Sequence, residues 1–413
     1  MKKEQKANKH VELVLKGIKE AAALSGKPEQ EVTKFEALEF VSDYAMRRAG
    51  SFSSIKNAFF PLNGKDLAGI QKTKNQLSYI SKLEKQVATN ELETEKIKEM
   101  LKSIPQVKVT PYVRGKQGKI QRELNLVLSD LHIGSDILKN QTGNLDFGKS
   151  EEARRLARIV KDTCEYKEQY RKETKLNVLL LGDIIQNQLH DLRDGAPAAE
   201  QCGRAIYLLT QAIAQFSANF PSVAVYCNTG NHGRNTGRHH GRAVNQKWDS
   251  LEQIVYFAIR EATKGLKNVT FVIPKTPYVV YEVFGKKVFA THGDSVLNVG
   301  YPGKAINTGR LETQVNRFNA SLSDREEYSV LVVGHVHTAS ITHLSNGAVT
   351  ITNGAMVPVD EYAVSIGLME TTSGQYLFES TEGFPVGDCR YIKVSEKDDK
   401  NASLDQIIKK WEE

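Results

Sequence analysis

The spacing of apolar positions changes near residue 122. Before that point, residues 1–103 are rich in Ala, Leu, Glu and Lys and poor in Pro, which predicts a mostly helical N-terminal domain. Thr33 is placed to cap a helix running through EALEFVSDYAMRRA, which Gly50 closes. SFSSIKNAFFPLNG predicts a short helix followed by a Pro/Gly turn. Residues 66–103 predict a long polar helix with Ile80, Leu83, Val87, Ile97 and Leu101 on one seam, interrupted at Asn90 and Thr94. That seam fits a coiled-coil homodimer and equally a helical arm folded onto its own body. Two short helices ahead of a longer one also fit a helix-turn-helix, although no residue pattern proves one.

Residues 104–121 (IPQVKVTPYVRGKQGKIQ) contain two Pro, two Gly and four Lys or Arg without an acid, and read as a basic linker. Beyond it the pattern becomes one of apolar runs ending in small or polar residues. NLVLSD, NVLLLGD, VAVYCNTGNH, KVFATHGD and VLVVGHVH are such runs, and amphipathic helices are expected within 150–172 and 198–218. Buried strands alternating with helices predict an α/β body over residues 122–395. Asn346–Gly347 reads as a hairpin turn, and residues 396–413 as a charged tail in a loose helix.

Charge changes this picture more than composition does. The 413 residues carry a net +7, yet residues 1–124 hold 24 Lys and Arg against 15 Asp and Glu, which leaves the remainder slightly acidic. A basic segment ahead of a near-neutral body points to a polyanion partner, DNA first, against the plainer reading of a solvated basic surface. No apolar run is long enough to cross a membrane, and the N-terminus lacks a signal-peptide core, so a cytoplasmic protein with no membrane partner is expected. Four scattered cysteines without a CxxC make a disulfide scaffold and a Cys-based zinc site poor readings and fit a reducing cytoplasm.

The chemistry sits at the ends of the apolar runs. VLSDLHIG ends in Asp130 and His132, LLLGD in Asp183, NTGNHGR in Asn231 and His232, FATHGD in His292, and VVGHVH in His335 and His337. In an α/β sheet, functional groups gather beyond the carboxyl ends of strands, so five strands would deliver these side chains to one rim. Residues two apart in an extended segment point the same way, which lets each D-x-H or H-x-H pair reach one cluster. With His232 set aside, two Asp, one Asn and four His form a mixed oxygen/nitrogen set. It suits Mn²⁺, Fe or Zn²⁺ better than Ca²⁺ or Mg²⁺. Seven ligands exceed one tetrahedral ion and fit two ions sharing a carboxylate, the arrangement that activates a water and clamps phosphate oxygens. A lone D-x-H or GNH would mean little. His239, His240 and His343 read as surface or rim histidines and His10 as inert.

The ordered string D-x-H, G-D, G-N-H, H-G, G-H-x-H over about residues 125–357 resembles the calcineurin-like metallophosphoesterase superfamily. The resemblance implies a metallophosphoesterase-type β-sandwich flanked by helices and a hydrolase with two divalent metal ions, Mn²⁺ first. It assigns Asp130, His132 and His337 to one ion and Asn231, His292 and His335 to the other, with Asp183 bridging. His232 would be the non-ligand histidine that stabilises the transition state or protonates the leaving oxygen. Two positions depart from the family pattern. Gln186 stands where many relatives have an acid or His, and Gly233 where many have Asp or Glu after GNH. This leaves Asp249 or His190 to orient His232. The loop GRNTGRHHGR places Arg234, Arg238 and Arg242 where guanidinium forks could grip substrate phosphates, against the plainer reading of a solvated basic loop. Tyr301 and Arg310 could also touch substrate. GNHGR and NGAMVPVDEYAVSIG resemble members carried by bacteriophages and mobile elements, described as phosphoesterases or DNA repair exonucleases, which implies a phage or bacterial host cell. A DNA nuclease is therefore the leading expectation. The alternative is a phosphatase or small-substrate phosphodiesterase with the N-terminal helices as a docking arm. A binding module with a vestigial site is disfavoured, because such a site seldom keeps every ligand type.

Overall fold

The computed structural model describes residues 9–49, 51–59, 106–110, 112, 119–143, 146–169, 173–187, 195–235, 247–297, 300, 306–321, 327–365, 367 and 372–395. The chain divides into two units, Met1–Lys96 and Ile97–Glu413. The expected 66–103 helix and 396–413 tail lie outside the described residues, as does most of the basic linker. Within that linker, Val107 donates its N–H to Ala262 O at 2.9 Å.

The first unit contains helices α1 (Lys9–Ser25), α2 (Lys34–Ala37), α3 (Asp43–Ala49) and α4 (Phe52–Phe59). Val14, Ile18, Ala21 and Ala22 recur at helical spacing on α1 and bury against Ala37, Val41, Met46, Phe52 and Ile55. Thr33 caps α2 through a capping box. Its hydroxyl accepts from Glu36 N, and the Glu36 carboxylate accepts from Thr33 N. The single helix expected from Thr33 to Gly50 is instead two. Ser42 Oγ accepts from Ala45 N at 3.3 Å and begins α3, and this local side-chain bond replaces the backbone bond that continuing the helix would need.

The second unit is a two-sheet sandwich flanked by helices. Its first sheet has the order β11-β10-β1-β2-β3-β4, and its second β5-β6-β7-β9-β8. The strands are β1 (Arg122–Leu128), β2 (Thr174–Leu181), β3 (Val223–Asn228), β4 (Val269–Val272), β5 (Val279–Val283), β6 (Lys286–Thr291), β7 (Val330–Val333), β8 (Ser340–His343), β9 (Val349–Thr352), β10 (Gly374–Ser380) and β11 (Cys389–Lys393). β1 through β4 run parallel, as do β6, β7 and β9, while β10 pairs antiparallel with β1 and β11, β5 with β6 and β8 with β9.

Period-2 alternation sorts the apolar side chains into layers. Leu176, Val178 and Leu180 of β2 face α5 (Lys149–Glu168), α6 (Ala198–Asn219) and α7 (Leu251–Ala262). Leu179 and Leu181 face the other way, into a core shared with Val288, Ala290, Val330 and Val332 of the second sheet. The outer face of that sheet, through Phe289, Leu331 and Val333, packs on α8 (Thr308–Ala320). Strands buried on both faces explain why these segments read as continuous apolar runs rather than alternating ones. The Asn346–Gly347 turn joins β8 to β9, with Gly347 at φ 86°.

Candidate metal centre

Asp130, Asp183 and Asn231 lie just past the ends of the adjacent parallel strands β1, β2 and β3, and His292 and His335 just past the adjacent β6 and β7. The rim therefore spans both sheets. Parallel pairing continues past the strand ends: Asp130 N donates to Gly182 O at 3.0 Å and His132 N to Asp183 O at 3.0 Å. A left-handed backbone then turns the side chains inward. Of eight non-glycine residues with positive φ among those described, five are Asp130, His132, Asp183, His335 and His337. Such conformations are sparsely populated for L-residues and persist where surrounding structure enforces them, commonly at functional sites. Glycine permits the close approach. A Cβ on Gly182 would lie 2.2 Å from Gly230 N, and one on Gly230 only 2.0 Å from Asp183 Oδ1.

The side chains form two ligand sets that meet at Asp183. Asp130, His132 and His337 make one, Asp183, His292 and His335 another, and His132, Asp183 and His232 lie between them. His337 Nε2 is 3.3 Å from Asp130 Oδ1 and His132 Nε2 is 3.3 Å from His337 Nε2. His292 Nε2 is 3.1 Å from both Asp183 Oδ2 and Asn231 Oδ1.

The far ring nitrogens are held from behind. His132 Nδ1 pairs with Gln186 Oε1 at 2.6 Å and His292 Nδ1 with Leu181 O at 2.8 Å. An acceptor on Nδ1 keeps a proton on that nitrogen and turns Nε2 toward the cluster, the orientation of metal-ligating histidines. The oxygen/nitrogen donors and these ring orientations fit divalent transition ions.

The electrostatics divide the histidines. Burial, with the neighbouring His232 and His337, pushes His132 down to about 3, and burial with His292 pushes His335 down to about 4. For His292, burial opposes protonation, but the Asp183 carboxylate outweighs it and raises the ring to about 10. His337 is raised in the same way: burial opposes, and its bond to Asp130 prevails. Both carboxylates stay ionised. Burial works against them, yet the facing histidines hold Asp130 below its usual range and Asp183 well below it.

His232 sits against this cluster, with its ring 4.5 Å from that of His132 and its backbone N donating to Asp183 Oδ1 at 2.8 Å. Its Nδ1 has a partner that the sequence did not suggest. Nδ1 pairs with Gln186 O at 2.8 Å, whereas Asp249 accepts from Asn235, and His190 lies outside the described residues. One residue, Gln186, thus sets two histidine rings, His132 through its side chain and His232 through its carbonyl. Arg234 is half-buried beside His232, while Arg238, Arg242 and Tyr301 lie outside the described residues. Arg310 is exposed at the start of α8, and His343 is exposed at the end of β8. His10 packs edge-on against Tyr44 in the first unit.

Sequence reasoning missed Glu252. This carboxylate is fully buried in the first turn of α7 and accepts from Ile184 N at 2.6 Å and Gly230 N at 2.7 Å. Burial, and then the nearby Asp183, raise it to about 7. An acid one turn into a helix reads in sequence as a complement to the helix dipole, so nothing singled it out. Buried Lys247 and half-buried Asp294, an ion pair beside His292, were also passed over.

No family model matches the chain, and no curated protein sequence matches it. Among solved structures, a 5'-nucleotidase from Candida albicans SC5314 is similar over 75% of this chain, at 11% identity and a TM-score of 0.32. The chain spans 58% of that protein's length. A dimetal phosphatase from Danio rerio is similar over 66% of this chain and 98% of its own, at 12% identity and a TM-score of 0.33. Likeness of this degree carries no argument about chemistry, which rests on the residues themselves. Among the described residues, no helix is long and apolar enough to cross a membrane.

Proposed function

We propose that the chain is a dinuclear metal-dependent phosphoester hydrolase of the calcineurin-like metallophosphoesterase superfamily, with DNA phosphodiesters as its substrate. The observation that carries the hydrolase reading is the meeting of five strand ends at two ligand sets joined by Asp183. Asp130, His132 and His337 would hold one ion and Asn231, His292 and His335 the other, with Asp183 shared. Ions held there supply a polarised water and positive charge for phosphate oxygens. Mn²⁺ is the first ion to test, with Fe and Zn²⁺ next, because the donors mix nitrogen and oxygen.

The chain's own groups do the rest. With Nδ1 tied to Gln186 O, the His232 ring presents Nε2 3.9 Å from Asp183 Oδ2, where it can hand a proton to a leaving oxygen. Arg234 Nε is buried and unpaired among the described residues. With Arg238 and Arg242 on the same loop, it would grip phosphate oxygens. Support for DNA comes from the basic excess of residues 1–124.

A second reading is a phosphatase or small-substrate phosphodiesterase with a docking arm. It is favoured by the described helices of the first unit, where residues 9–59 hold eight Lys and Arg against seven Asp and Glu. Phe35, Tyr44 and Phe59 are exposed on the same helices, as suits a protein contact better than a DNA backbone.

The deciding experiment is Mn²⁺-dependent hydrolysis of linear single- and double-stranded DNA beside mononucleotides and a phosphopeptide, with His232→Ala as control. DNA cleavage that is lost in the variant supports the nuclease. Intact DNA with rapid phosphate release from the small substrates replaces it with the phosphatase. No hydrolysis of any substrate rejects both.

A further inference from the structure

We infer that Glu252 is a positioning residue that clamps two ligand-bearing loops together, and that Gly233 is glycine because the Glu252 side chain occupies its side-chain space. The inference rests on the metal-centre reading above but is argued from different atoms. Ile184, which donates to Glu252 Oε1 at 2.6 Å, directly follows Asp183. Gly230, which donates to Oε2 at 2.7 Å, directly precedes Asn231. One carboxylate therefore joins the loop carrying the shared aspartate to the loop carrying Asn231 and His232. Neither N–H belongs to a strand ladder, and a buried N–H without an acceptor is rarely tolerated. Two backbone donors thus converge on one carboxyl group, one on each oxygen.

The geometry at Gly233 supports the same role. A Cβ there would lie 2.5 Å from Glu252 Cγ, 2.8 Å from Glu252 Cδ and 2.6 Å from Ser250 Oγ. All are far inside van der Waals contact, and the atoms in the way belong to two buried side chains, those of Glu252 and Ser250. Gly233 O accepts from Leu251 N at 2.8 Å, so the start of α7 is fastened to the GNH loop by backbone as well. A carboxylate can therefore enter this pocket from residue 252 or from residue 233, but not from both.

This exclusivity supplies the test. Glu252→Gln, Glu252→Ala, Gly233→Asp and the double variant Gly233→Asp/Glu252→Ala are made in the full chain. Mn²⁺ affinity and stoichiometry are measured by calorimetry, and amide exchange at Ile184 and Gly230 is followed with and without Mn²⁺. Glu252→Ala should weaken Mn²⁺ binding by about 10- to 100-fold, the usual range for groups behind metal ligands. It should also speed exchange at Ile184 and Gly230 while β2 and β3 stay protected. Glu252→Gln, which keeps one acceptor oxygen and folds more readily, should fall between. Gly233→Asp should impair wild type, where its Cβ meets Glu252, and do less harm in Glu252→Ala. Slowed exchange at Ile184 and Gly230 in the double variant, which relief of the clash alone would not give, marks a carboxylate back in the clamp. Unchanged exchange and affinity in Glu252→Gln and Glu252→Ala overturns the clamp. If wild type binds no Mn²⁺, the metal reading fails, and the exchange data still decide whether the clamp exists.

Discussion

The helices of the first unit and the rim of the second are held together in opposite ways. In Lys9–Phe59 the polar contacts are mostly local: Thr33 with Glu36, Ser42 with Ala45, and Asp43 with Arg47 four positions on. At the rim they join residues remote in sequence. Gln186 reaches His132 across 54 positions, Glu252 reaches Ile184 across 68, and His335 N reaches the Asp130 carboxylate across 205. Local contacts fail one at a time. Rim contacts share members, since Asp183 touches His232 N and His292 while Gln186 holds two rings, so removing one disturbs several.

Changes at the rim should therefore be large and should spread, and the contrast can be broken from that end first. Asp183→Ala should abolish turnover and loosen both ions, read as loss of bound Mn²⁺ by elemental analysis. Retention of two ions would show that the sets are independent of Asp183. His232→Ala should keep both ions and lose about 10²- to 10⁴-fold in kcat with little change in KM, the range for a lost general acid. Near-normal kcat would remove His232 from the chemistry.

The next effect concerns protons. His292 is raised to about 10 by Asp183, so near neutrality its Nε2 carries a proton that must leave before an ion can bind. Mn²⁺ affinity should accordingly rise with pH below 10, on the order of tenfold per unit for this one proton, with proton release visible in buffers of different ionisation enthalpy. A flat profile between pH 6 and 8 would contradict the His292–Asp183 pairing. The smallest effect belongs to the helices. Thr33→Ala removes the cap of α2 and should cost about 1 kcal/mol in chemical denaturation, without altering Mn²⁺ stoichiometry. A change in metal content would show that the two regions are coupled.

Much of the rim was legible because its chemistry is written at strand ends. Each apolar run terminates in a residue type that binds metals, and parallel strands deliver their ends to one side. The helix over 34–49 was misjudged because apolar periodicity continues through Val41 and Ala45 while the break is made by one hydroxyl, that of Ser42. The acceptor on His232 Nδ1 was not foreseen for a related reason. A backbone carbonyl, Gln186 O, supplies it, and carbonyls leave no mark in a sequence. Glu252 was missed because its partners are backbone N–H groups of loops 68 and 22 positions away.

By itself, the sequence determined the α/β alternation of the second unit, the helical character of the described part of the first, and the residue types at the rim. These follow from local periodicity and side-chain chemistry. Only the tertiary structure decided that the two sheets bring five strand ends together. It also decided that left-handed backbone at Asp130, His132, Asp183, His335 and His337 aims their side chains inward, and that Glu252 fills the space Gly233 leaves. Those outcomes depend on contacts between distant segments, where packing and the need to satisfy buried backbone groups override local preference.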